Sequence, residues 1–180
     1  MEEQTEQREA VSYTYESSEI FLSMVQAEYQ NEIERAASID TKLSISLPII
    51  ATYLFSIVQY SGLRILDSMV ENMGIRAFYF ILIYGLALAF GSASCVQMVM
   101  SIVTHQYETV DMNKLNSARH ISMPREQYCA AVSARYIHAA FRNALQNDKR
   151  GKLHTRGWIS AAVSLACFSL FALAAREGGI

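Results

Sequence analysis

The chain has 180 residues, 52% of them hydrophobic, and a formal net charge of −2. That length fits one compact unit and leaves little room for a separate catalytic domain. Three runs carry no charge, Leu43–Leu63, Ala77–Thr104 and Gly157–Ala175, of 21, 28 and 19 residues; since about 20 apolar helical residues cross the roughly 30 Å bilayer core, they argue against a water-soluble bundle.

In chain order, residues 1–16 are Glu- and Gln-rich and are expected to be a mobile acidic terminus. They are the reverse of a basic leader followed by an apolar core, so no cleavable signal is expected. Ser17 or Ser18 can cap a helix from about Glu19. Leu22, Val25, Tyr29, Ile33, Ala36 and Leu43 then recur at helical steps, with Glu28, Glu32, Glu34 and Arg35 opposite. This predicts a cytoplasmic amphipathic helix over 17–42 that runs into a first span over 43–63, with a kink at Pro48.

A short external loop is expected at 64–76 and a second span at 77–104. About 28 helical residues measure about 42 Å, so this helix tilts or projects beyond the lipid. Residues 106–121 read as a connector. Ser122 with Pro124 is a helix start, and one helix is predicted from about Met123 to Ala175. It comprises most of a basic segment, 105–156, a third span, 157–175, and is followed by an external tail, 176–180.

Charge orients the spans. Residues 1–42 carry ten acidic and three basic side chains, and residues 105–156 carry four acidic and nine basic. Lys and Arg are retained on the cytoplasmic side, which places 105–156 there, the N-terminus with it and the C-terminus outside.

Arg135, Arg142, Lys149 and Arg156 recur every seven residues and form a ladder along one helical stripe. His138 and Lys152 widen it. A row of cations suits phosphates, and Tyr128 and Tyr136 could stack on a base. Competing readings pair the ladder with acidic helices, place its lower rungs near anionic lipid, or leave it solvated.

In the second span, Ser94, Gln97, Ser101 and Thr104 share one face. In hydrocarbon such groups face a neighbouring helix or a water-filled lumen. Gly85, Ala89 and Ala93 form a small-residue series suited to close helix approach. A similar series in the third span contains Ser160, Ser164, Cys167 and Ser169. Cys95, Cys129 and Cys167 have the spacing of neither a disulfide framework nor a zinc site. There is no Gly-rich phosphate loop, no His-x-x-x-His pair and no Gly-x-Ser-x-Gly elbow, so no enzyme, metal or cofactor is implied.

Two segments carry a family resemblance. Glu28–Ser44 reads EYQNEIERAASIDTKLS, with Asp40 and Lys42 just before the first span. Ser133–Leu153 reads SARYIHAAFRNALQNDKRGKL and leads toward the third. The arrangement resembles the transmembrane effectors of bacterial Pycsar antiphage systems and, as a related possibility, Hailong-type channel effectors. It departs from the pattern at Leu43, where a small residue is usual, and at Pro48. The resemblance implies an effector of the bacterial inner membrane, silent until a nucleotide signal from a partner nucleotidyltransferase or cyclase changes.

The expectation is therefore an all-α, three-span membrane protein assembled as a homo-oligomer such as a tetramer. Arg135, His138, Arg142, Lys149, Lys152 and Tyr128 would bind a cyclic nucleotide or short oligonucleotide, and Ser94, Gln97, Ser101 and Thr104 would line an ion-conducting pore. The alternative is a non-conducting adaptor whose helices dock another protein.

Overall fold

The fold is that of a computed structural model. It describes the backbone of residues 2–60, 75–104, 107–111 and 122–177, and side chains over 18–59, 78–104, 107–111 and 122–176. The expected external loop up to residue 74, connector residues 112–121, His105, His120 and the last three residues of the tail lie outside the described residues.

Among the described residues three helices follow in order: α1 (Glu2–Tyr60), α2 (Ile75–Val103) and α3 (Arg125–Glu177). Among the described residues there is no strand. The all-α class read from the sequence holds, and each helix has a stretch long and apolar enough to cross a membrane.

α1 starts at Glu2 rather than near Glu19, so the segment expected to be mobile before residue 17 is helical from its second residue. The local reason is composition: no Gly or Pro precedes Pro48, and Glu, Gln and Ala favour helix. The helix continues through Pro48 to Tyr60. α3 begins directly after Pro124, where the Tyr128 N–H reaches the Pro124 carbonyl at 3.0 Å. Proline is tolerated there because its missing N–H falls among the unpartnered donors of a helix start. As predicted, α3 runs unbroken through Gly151 and Gly157.

The chain divides into two compact units. The first takes Met1–Ser38 and Gln106–Asp148; the second takes Ile39–His105 and Lys149–Ile180.

In the first unit α1 lies beside α3. Val25 and Ala36 are buried on α1, and Cys129, Val132, Ala139 and Ala140 on α3. The non-helical stretch 107–111 is held to this helix pair by hydrogen bonds to Tyr29, His138, Asn143 and Asn147.

The second unit packs parts of all three helices. Leu43, Ile50, Met98 and Ala161 form one apolar cluster; Phe171 and Ala175, against Phe80, Ile83, Tyr84 and Phe168, form another. Leu43, Ile50 and Ile57 recur every seven residues along α1 and are almost fully buried. On α2 the buried stripe is Ala87, Gly91, Ser94, Met98 and Ser101, at alternating steps of four and three, the spacing that keeps one helix face on its neighbours. Gly91 gives room for this approach: a Cβ there would clash with Leu54 Cδ2 and lie 3.0 Å from Ser164 Oγ, so both side chains would have to shift. The small series predicted for close approach is turned elsewhere, since Gly85 and Ala89 are exposed and a Cβ on Gly85 would meet nothing within 4 Å.

The outward surface of this unit is strongly apolar. Ile45, Phe55, Phe78, Val96, Leu170 and Leu173 are all more than half exposed. Soluble monomers rarely leave so much contiguous apolar surface uncovered.

Candidate functional site

The predicted cations are distributed over both units. In the first, Arg135 and His138 lie three residues apart on α3, and Arg142 lies one turn beyond His138. The structure brings His138 and Arg142 to Glu108 of the 107–111 stretch, and Arg135 lines a cleft with the same residue. His138 Nδ1 is 3.0 Å from Glu108 Oε1, and Arg142 Nε is 3.4 Å from Glu108 Oε2. A carboxylate only accepts, so this contact is a hydrogen bond when Nδ1 of the His138 ring carries a proton. Beside these pairs opens a cleft of about 350 Å³, lined by residues 108–111 and by Ala134, Arg135, His138 and Ala139. That volume lies within the range of small-ligand sites.

Glu108 is positioned by its backbone. Asn143 is fully buried; its side-chain oxygen accepts from the Glu108 N–H at 2.9 Å, and its Nδ2 donates to the Glu108 carbonyl at 3.2 Å. Tyr29 Oη reaches the same carbonyl from α1 at 3.5 Å. One level along α3, buried Asn147 donates to the backbone and carboxylate of Glu32, both at 2.8 Å, and accepts from Tyr107 Oη at 3.1 Å. A buried amide with all of its groups satisfied is a rigid positioning device.

The remaining predicted ligand residues do not join this cluster. Lys149 and Lys152 belong to the second unit and are exposed, as is Arg156. Tyr128 is half-buried. Tyr136 makes a T-shaped contact with Tyr29, with ring centroids 5.3 Å apart. The acidic N-terminal helix meets other α3 groups: Glu19 pairs with Arg125, and Arg35 with Asp148 at 2.6 Å.

The polar face of α2 is turned in part toward α3. Ser94 and Ser101 are completely buried within the single chain. Ser94 Oγ donates to the Gly157 carbonyl at 2.7 Å, and Ser101 Oγ to the Arg150 carbonyl at 3.1 Å. These hydroxyls bind α2 to α3. The physical reason is the small volume of Ser, which allows the helices close approach while its hydroxyl takes a carbonyl already in the helix ladder. Gln97 is half-buried and accepts from Ser160 Oγ at 3.4 Å. Thr104 is exposed, with Oγ1 donating to the Met100 carbonyl at 3.0 Å.

Sequence reasoning missed Arg150 and the two asparagines. Arg150 is fully buried; it pairs with Asp40, and its Nε donates to the Ser101 carbonyl at 2.9 Å. A signal was present: Asn143, Asn147 and Arg150 fall at steps of four and three, the spacing of the buried stripe rather than of the ladder. Asp40, singled out by the family resemblance, is thus the partner of Arg150. Nearby, Ser46 Oγ lies 3.3 Å from His154 Nε2, and Trp158 Nε1 donates to that nitrogen at 3.2 Å.

No family model, curated protein or solved structure matches this chain.

Proposed function

We propose that this chain is a membrane effector of antiphage defence, controlled by a nucleotide and conducting ions as a homo-oligomer in a bacterial inner membrane. The observation that carries this reading is the combination, in one chain, of three apolar helices with a cation-bearing cleft formed by Arg135 and His138, with Arg142 beside it. The apolar exterior of the second unit supports insertion into lipid. The cleft supports an anionic ligand, because guanidinium groups bind phosphate through charge-assisted hydrogen bonds. Helices α1 and α3 each contribute residues to both units. A ligand that binds two conformations with different affinity would bias those helices toward one of them.

With Ser94 and Ser101 committed inside the chain, Gln97 and Thr104 are the two of the four expected pore residues left for a lumen shared between copies. The same commitment favours a second reading, a non-conducting adaptor. Expression of the chain alone and beside a nucleotidyltransferase separates the two. A channel effector depolarises the membrane in one condition and not the other; an adaptor does so in neither. Loss of the nucleotide response in Arg142→Glu is the result expected of the ligand assignment. Unchanged nucleotide binding and toxicity in that variant would remove it.

A further inference from the structure

Glu108 presents an anion to the cations that the proposed function assigns to phosphate. One carboxylate oxygen takes His138 Nδ1 at 3.0 Å and the other lies 3.4 Å from Arg142 Nε. The carboxylate therefore occupies the position a ligand's phosphate oxygens would take. Its backbone is held by Asn143 on both sides and by Tyr29, so the side chain can rotate away while the 107–111 stretch stays in place. Both contacts are well exposed, with the three side chains between 41% and 64% accessible. Exposed pairs are weak, so little is lost in separating them. A phosphate brings more charge and more acceptor atoms than a carboxylate. Beyond Glu108 the cleft is lined by the Arg135 guanidinium and by a second carboxylate, Asp111.

We propose that Glu108 is a built-in competitor for this site: its carboxylate holds His138 and Arg142 in the unliganded chain, and a phosphate-bearing ligand binds by displacing it. The inference rests on the proposed anion-binding function and adds its regulation. Glu108 sets a threshold, so that a ligand with clustered phosphate charge displaces it while weaker anions do not.

The test uses the full chain in nanodiscs of neutral lipid, with inorganic tripolyphosphate as the probe and calorimetry as the readout. Glu108→Gln keeps the shape of the side chain and removes its charge. It should bind tripolyphosphate about tenfold more tightly than the parent, equivalent to about 1.4 kcal/mol. In a His138→Gln/Arg142→Gln background the same change should give no gain, because the competition is then abolished. Parent and Glu108→Gln binding equally well, with unchanged helicity, overturns the inference and leaves the anion site standing. No binding by either, to tripolyphosphate or to phosphatidylglycerol vesicles, overturns both. A Glu108→Gln gain seen only with those vesicles identifies a lipid headgroup as the phosphate source and supports the competition.

Discussion

Arg150 is completely withdrawn from solvent and pairs with Asp40, which is itself 43% accessible. The pair joins α1 to α3, and Arg150 Nε extends the link to the Ser101 carbonyl of α2. Removal of one partner from a buried pair costs far more than replacement of both, because the survivor stays desolvated. Asp40→Ala should therefore destabilise the second unit by about 3 kcal/mol. Asp40→Leu combined with Arg150→Met should recover most of that loss. Thermal unfolding in detergent micelles measures both; equal stability of Asp40→Ala and the parent would refute the coupling.

Two glycines on α2 should respond in opposite directions. Gly91→Val places a branched side chain against Leu54 and Ser164 and should cost about 1–3 kcal/mol through overpacking. Gly85→Ala adds a methyl where nothing lies within 4 Å and should stabilise the helix by about 0.5–1 kcal/mol. Melting temperatures of the two variants under identical detergent conditions give the comparison.

His154 stands three residues before the expected third span and gives the fold a pH dependence. Burial, and then the positive charge of Lys42, hold its pKa below the usual histidine value. The unfolded chain therefore binds the proton more readily than the folded one. Stability from this group is complete above the usual histidine value of about 6.5 and is lost as pH falls through the lowered folded value. Protonation would also turn Nε2 from acceptor to donor and break the 3.2 Å bond from Trp158. Trp158 is the single tryptophan, so its fluorescence reports the event directly. Across pH 8 to 5 the parent should show a transition in emission and a falling melting temperature, both reduced in His154→Gln.

Asn143 should control the 107–111 stretch. Asn143→Leu removes both hydrogen bonds to the Glu108 peptide and should cost about 1–3 kcal/mol locally. Amide hydrogen exchange at Glu108 should accelerate, while α2 amides stay protected. Unaltered protection of the Glu108 amide would show that the stretch is held by other contacts.

The helices were legible because their signal is local. Charge-free runs of spanning length, the absence of Gly or Pro before Pro48, and Ser122 with Pro124 at the head of α3 mark their course without reference to any partner. The heptad of cations was equally visible; Arg135 and His138 line one cleft, and Arg142 reaches Glu108 beside it. What those side chains meet was not visible. Lys149 and Arg150 are adjacent in sequence, yet one is exposed and the other buried, because about 100° of helical rotation separates them. Ser94 and Ser101 read equally well as lumen or packing residues until α3 was placed against them. Glu108 carries no periodic signal, since it lies in a non-helical stretch and meets His138 only through the fold. Periodicity specifies which residues share a face; only the packing of one helix on another decides what that face meets.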